Sequence, residues 1–220
     1  MPMNTWTAVD DVFAESLLEA DPILEAAQRA AADAGLPAIS VSAAQGKYLY
    51  LQALSLRATR ILEVGTLAGY SAIWMARALE RDGRLTTLEF EPKHAEVAQA
   101  NLAAAGVQDR VEIIVGRAID TLPTLEGREP FDLIFIDADK PSNADYFEWA
   151  VRLGRPGSVI IVDNVVRDGA IADPTNMEAS VEGVRRLNRA VAAQPRVSAT
   201  AVQTVGAKGY DGFMYCVVVS

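Results

Sequence analysis

The sequence predicts an α/β fold: a doubly wound, mostly parallel sheet of seven strands preceded by helices. Three observations lead there. From Arg60 onward, short apolar runs alternate with helix-like segments. Those runs are continuously apolar, as expected of strands covered on both faces. The 220 residues, half of them apolar and 22% charged, can bury a core without disulfide or metal staples. The expectation is a single domain over 1–220, with an N-terminal helical cap at 1–57 and an α/β core at 58–220.

The elements follow in order. EAAQRAAADAG at 25–35 is rich in alanine, the best helix former, and Gly35 and Pro37 stop it. A second helical stretch at 42–57 carries Tyr48, Leu51, Leu54 and Leu56, with no strand between the two. Strands are expected at 60–64, 84–89, 110–115, 131–137 and 157–163, with helices near 69–80, 92–105, 117–125 and 142–153. A long helix is expected at 177–193, where Met177, Val181, Val184, Leu187 and Val191 recur at helical spacing. Strands near 196–204 and 211–219 close the chain.

Composition removes several function classes. Twenty basic against twenty-nine acidic residues leave a net charge of −9, which repels phosphate backbones, so nucleic acid is not an expected partner. The single cysteine, Cys216, excludes an internal disulfide and a Cys-rich zinc site, and reads as core. The single histidine, His94, leaves no His cluster for a metal, and reads as a surface helix residue. No apolar run approaches the ~18 residues of a membrane span. MPMNTWTAVDD lacks the pattern of a signal peptide, so a cytoplasmic protein is expected.

Ligands of such sheets bind beyond the carboxyl ends of the strands, where the strand order reverses. The first strand runs into Glu63-Val-Gly-Thr-Leu-Ala-Gly-Tyr-Ser71. Gly65 and Gly69 permit a tight turn and close approach of a ligand to the backbone. The spacing is G-x-x-x-G, not the G-x-G-x-x-G of dinucleotide folds, which weakens an NAD-dependent oxidoreductase. An acid two residues before the first glycine suits a ligand with an amino group. Glu89 ends the second strand and is placed to accept hydrogen bonds from two ribose hydroxyls.

Strand 131–137 ends in FIDADK and strand 157–163 continues into VDN. If the two are parallel neighbours, their tips lie about 4.8 Å apart. Asp137, Asp163 and Asn164 then form an all-oxygen set suited to a hard divalent ion such as Mg²⁺, Mn²⁺ or Ca²⁺. Without a cation, the two carboxylates would repel and one pKa would rise. Lys140 follows Asp137 by three residues and is a candidate general base; its plainer alternative is an exposed pair with Asp139.

LEVGTLAGYS, LEFEP, FDLIFIDADK and VIIVDNVVRDGAI, in this order, resemble the cation-dependent S-adenosylmethionine O-methyltransferases, the family of catechol and caffeoyl-CoA O-methyltransferases. The resemblance runs from SVSAAQG at 40–46 to the C-terminus. It implies a Rossmann-like class I methyltransferase fold, with S-adenosylmethionine (SAM) and a divalent cation as cofactors. By the resemblance, Glu63, Gly65, Thr66 and Ser71 hold the methionine part of SAM and Glu89 its ribose. Ala118 contacts the adenine, and Val41 and Asp137 add cofactor contacts. Asp137, Asp163 and Asn164 are the implied metal ligands, with Lys140 and Asp137 the catalytic pair. A small catechol-type phenolic acceptor and a homodimer are also implied. The ion would polarise the acceptor diol, Lys140 would take the proton, and the oxygen would attack the sulfonium methyl.

The chain departs from the family in DKPSNADY, two residues longer before Tyr146 than D-K-x-N-Y, and in the C-terminal GAKGYDGF. Trp74 and the group Tyr146, Phe147 and Trp149 read as packing against the sheet. Loop 166–176 is read either as a lid or as a plain connection. The charges at 182–189 read as a solvated helix face. A non-catalytic SAM-binding protein is the alternative from another class.

Overall fold

The computed structural model describes residues 3–220. Three helices come first: α1 (Met3–Leu17), α2 (Pro22–Asp33) and α3 (Ala43–Ser55). Asp21 caps α2 by accepting from the N–H groups of Ile23 and Leu24, each at 3.1 Å, and Pro22 occupies a first-turn position that needs no donor. Ser42 caps α3 through the N–H of Gln45. The two expected helices are thus present. α1 is an addition, and none of its residues is buried.

Strands and helices then alternate: β1 (Arg60–Val64), α4 (Tyr70–Ala78), β2 (Arg84–Glu89), α5 (Pro92–Ala104), β3 (Val111–Val115), α6 (Ala118–Thr121), β4 (Phe131–Ile136), α7 (Asn143–Leu153), β5 (Gly154–Asp163) and α8 (Ala179–Ala193). The hairpin β6 (Val197–Gly206) and β7 (Gly209–Val218) closes the chain. The seven strands form one sheet in the order β3-β2-β1-β4-β5-β7-β6, parallel except for β7, which is antiparallel to β5 and β6.

Side chains of successive strand residues fall on opposite faces. Leu62, Val64, Ile134, Ile136, Ile160 and Val162 pack with Phe147 of α7 and Val184 and Leu187 of α8. Ile61, Leu133, Phe135, Val159 and Ile161 pack with Leu49 of α3, Ile73 of α4 and Leu102 of α5. Both faces are covered, which accounts for the unbroken apolar runs. Cys216 lies in the first of these cores, where burial pushes its thiol up to about 12.

At the end of the sheet away from the site, Asp132 ties three strands together. Its carboxylate accepts from the N–H of Thr59 at 2.8 Å, the N–H of Arg60 at 3.1 Å and the guanidinium of Arg155 at 2.6 Å. Burial alone would raise its pKa, but these donors outweigh it and hold the carboxyl below its ordinary value. The strand order turns back between β1 and β4, so their carboxyl ends open the crevice where ligands of this architecture bind.

Met177, expected on the apolar face of the last helix, is instead exposed and precedes α8. The cause is local: Asp173 accepts from the N–H of Thr175 and Asn176 from that of Glu178, and these Asx turns delay the helix. The Arg185 guanidinium bonds to the carbonyls of Asn176 and Asp173, fastening loop 166–176 to α8. Trp74 meets Gly46 and Tyr50 of α3 at the margin of the core on that face of the sheet.

Gly183 of α8 passes directly over the backbone of Lys140. A Cβ there would stand 2.2 Å from the Lys140 carbonyl oxygen. Glycine to alanine inside a helix normally gains about 1 kcal/mol, but here the clash with backbone dominates. Gly183→Ala is expected to destabilise the protein by about 1–3 kcal/mol in urea denaturation.

Candidate active site

Beyond the tips of β1, β2 and β4 lies a cavity of about 750 Å³. Val41, Gly65, Thr66, Ser71, Glu89, Ala118, Asp137 and Lys140 line it, so most of the residues expected at the site meet there. Gly65 is needed for its shape. Its φ is +101°, and a Cβ would stand 2.2 Å from the Asp137 carbonyl oxygen, so β1 and β4 approach as closely as backbones allow. α4 starts just after Gly69, presenting its N-terminus to the cavity.

Glu63 stands one layer behind this wall, fully buried and absent from the cavity lining. Its two oxygens accept from Ser71 Oγ at 2.5 Å and Thr87 Oγ1 at 2.6 Å. Thr87 in turn meets Thr66 Oγ1 at 2.6 Å. The hydroxyls of Thr66 and Ser71 therefore carry the influence of Glu63 to the cavity. Burial pushes the Glu63 carboxyl up to about 8, against the pull of its hydrogen bonds.

Glu89 is engaged on all sides. Oε2 accepts from the N–H of Thr66 at 3.1 Å and of Leu67 at 2.8 Å, and Oε1 from the N–H of Glu91 at 2.9 Å. His94 Nδ1 lies 3.2 Å from Oε1. His94 is thus not the surface residue that its sequence position suggests: α5 starts so close to Glu89 that its first turn folds His94 into the cavity wall. A carboxylate offers about four acceptor sites; backbone N–H groups take three of them, and His94 is the one neighbouring side chain beside them.

At the second tip, β4 and β5 are parallel neighbours, with Ile136 opposite Val162. Asp137 and Asp163 follow directly, and a second cavity of about 590 Å³ opens beside Asp137, Asp163 and Asn164. Lys140 Nζ lies 2.8 Å from Asp137 Oδ1, so it pairs with Asp137 and not Asp139. Asp139 is occupied by Tyr146 and Ser142, each at 2.5 Å, and Tyr146 lines the first cavity while Phe147 lies in the core. Asp163 accepts from Gln45 Nε2 at 2.7 Å. Its carboxyl is pushed up to about 6, first by burial and then by the charge of Asp137.

These residues fit a hard divalent cation. Two mutually repelling carboxylates and an amide oxygen are the donor set such an ion takes. Asn164 holds a left-handed backbone (φ 56°), a conformation that asparagine tolerates better than most residues, and it lines both cavities. Among the described residues no group of three His, Cys, Asp or Glu clusters, so a site here relies on Asn164 as its third ligand. Gln45, Glu89's partner His94 and Arg167 were missed by sequence reasoning. Gln45 arrives from a helix 118 residues away and carries no local signal.

The raised Glu63 carboxyl has a consequence for stability. Folded Glu63 keeps its proton up to about 8, whereas the ordinary value is 4.5. Its stabilising effect is complete below 4.5 and is lost as pH rises through about 8. Thermal denaturation from about pH 5 to about pH 9 is expected to show a fall in wild-type Tm that Glu63→Gln largely removes.

A family model described as O-methyltransferase matches residues 14–217. A catechol O-methyltransferase of Niastella koreensis is 53% identical, covering 99% of this chain and all of that protein. The O-methyltransferase of Bacillus cereus solved in complex with SAH superposes with a TM-score of 0.97 at 52% identity, over 99% of this chain and 100% of that one. TomG of Streptomyces achromogenes, an O-methyltransferase involved in tomaymycin synthesis and solved with SAM, gives 0.96 at 50% identity over the whole of both chains. These likenesses favour neither an oxidoreductase nor a non-catalytic binding protein. Crevice, strand order and relatives agree: the chain belongs to the SAM-dependent O-methyltransferases.

Proposed function

We propose that this enzyme moves the SAM methyl group to one hydroxyl of a small catechol-type aromatic, with a divalent cation held by Asp137, Asp163 and Asn164. The observation that carries the reading is the convergence of those three residues and Lys140 where the two cavities meet. The name of the Niastella koreensis relative supports the acceptor class. The walls of the second cavity agree with it: Tyr48 and Phe213 pack with ring centroids 5.1 Å apart and planes tilted by 37°, and give that wall an aromatic lining.

In this reading the first cavity holds SAM. Glu89 takes the ribose hydroxyls, with His94 turning aside, and Ala118 lies against the adenine. Thr66 and Ser71, backed by Glu63, receive the methionine end beside Gly65 and Val41. Asp137 serves both the cofactor and the cation. When bound, a divalent ion supplies Lewis acidity that favours the ionised form of a phenol. Lys140 Nζ, nearly buried and fixed by Asp137, receives the phenolic proton as a neutral amine, after giving its own proton to water. The acceptor oxygen then attacks the methyl carbon; the C–O bond forms as the S–C bond breaks, and its electron pair stays on sulfur. The products are a methyl ether and S-adenosylhomocysteine. The protein's own contribution is orientation and the exclusion of water.

The acidic surface, at net −9, supports a small-molecule acceptor over nucleic acid. Among the described residues no helix is long and apolar enough to cross a membrane, in keeping with the proposed cytoplasmic location. A homodimer is supported by the apolar surface that α1 leaves exposed, notably Val12, Phe13 and Leu17.

Two outcomes test the reading. EDTA is expected to abolish methylation of catechol, added Mg²⁺ to restore it, and Asp163→Ala to lower kcat/KM at least ~100-fold. Glu89→Ala is expected to weaken SAM binding about tenfold in calorimetry. Methylation that survives both EDTA and Asp163→Ala contradicts the metal.

A further inference from the structure

We infer, resting on the catechol-type reading above, that Arg167 binds a carboxylate on the acceptor, so that the preferred substrates are aromatic vicinal diols carrying an acid group. The two cavities share six residues: Ile39, Ser40, Val41, Asp137, Asn164 and Arg167. Arg167 is the one cation among them. Arg60, Arg77, Arg155 and Arg185 each pair with a carboxylate, whereas the Arg167 guanidinium has no such partner among the described residues. An arginine left unpaired beside a ligand crevice is free to engage a planar anion, and its donor fork matches a carboxylate in two parallel hydrogen bonds.

The backbone that presents Arg167 is held from several directions. Asn164, Arg167 and Asp168 all have left-handed backbones, with φ of 56°, 56° and 53°. Asp211 maintains this shape: its Oδ1 accepts from the N–H of Val166 at 2.9 Å, of Arg167 at 3.0 Å and of Gly212 at 2.9 Å. Val165 donates to the Gly212 carbonyl at 3.0 Å and Asp168 to that of Tyr210 at 3.2 Å. Gly212 cannot carry a side chain, because a Cβ would stand 2.3 Å from the Val202 carbonyl oxygen. The YDG of the C-terminal GAKGYDGF is therefore the clamp that sets Arg167 three residues beyond Asn164, at the mouth of the proposed acceptor cavity.

The other charges facing that cavity leave Arg167 available. Asp137 and Asp163 belong to the proposed metal set, Asp211 is taken up by three backbone donors, and Asp10 accepts from the N–H of Ala207 at 2.7 Å. Lys208 adds a second, exposed cation at the rim. An acceptor whose diol faces Asp163 and Asn164 and whose ring lies along Tyr48 and Phe213 can bring a ring carboxylate to Arg167.

The test compares 3,4-dihydroxybenzoate with its neutral amide, 3,4-dihydroxybenzamide, in wild type, Arg167→Gln and Arg167→Lys. Wild type is expected to favour the acid by about tenfold in kcat/KM, the size of one charge-assisted contact in a half-exposed site. Arg167→Gln is expected to bring that ratio close to one, and Arg167→Lys to keep part of it. A ratio unchanged in Arg167→Gln overturns the assignment, as does a loss confined to the KM for SAM, which would place Arg167 on the cofactor carboxylate. Calorimetric binding of the same two compounds to the SAH-loaded protein gives the ratio without turnover. Charge discrimination in binding with no methylation of either compound defeats the methyl-transfer reading and leaves Arg167 standing; methylation without discrimination does the reverse.

Discussion

The backbones of Gly65 and Asp137 pass so closely that no side chain fits between them. On that approach the whole site depends. Asp137 donates its N–H to the Val64 carbonyl at 2.9 Å and Gly65 donates to that of Leu88 at 3.0 Å, so the tips of β1, β2 and β4 are sewn level where the strand order turns back. β5, in register with β4, then brings Asp163 beside Asp137. The first cavity and the oxygen-rich tip are two sides of one seam. A side chain at position 65 would push them apart and alter both together.

Carboxylates do two kinds of work in this protein, and their donors tell them apart. Asp132, Glu89 and Asp211 are surrounded by backbone N–H groups and hold strands or loops in shape. Glu63 is saturated by hydroxyls and raised by burial. Asp137 and Asp163 differ. Each has a single side-chain donor, Lys140 or Gln45, and each faces the other's charge. Oxygens left with spare lone pairs at the meeting of two cavities are the ones available for chemistry.

Much of this was legible in the sequence, for reasons that can be named. The strands were readable because both faces are covered, so Leu62 and Ile61 are equally apolar though they enter different cores. The placement of Asp137, Asp163 and Asn164 at neighbouring strand tips was readable because Asp163 ends β5 and Asp137 and Asn164 directly follow strand ends, where topology rather than packing decides position. α1 falls within the expected helical cap but was not drawn as an element of its own, although Trp6, Val9, Phe13 and Leu17 recur at helical spacing; none of these side chains is buried. Met177 was misplaced because Asx turns override helical spacing. Gln45, His94 and the Asp211 clamp on Arg167 escaped because their meaning lies in contacts formed across the fold. No spacing within the chain encodes the approach of Gln45 to Asp163.

The central claim is that the ends of β4 and β5 gather oxygen ligands around one divalent ion. Titrating Mn²⁺ into the SAH-loaded protein while following the free-ion paramagnetic resonance signal tests it without reference to turnover. The account predicts loss of that signal with one tightly held ion per chain, and no such loss in Asp163→Ala. A free-ion signal undiminished by wild-type protein, or diminished equally by the variant, would contradict it.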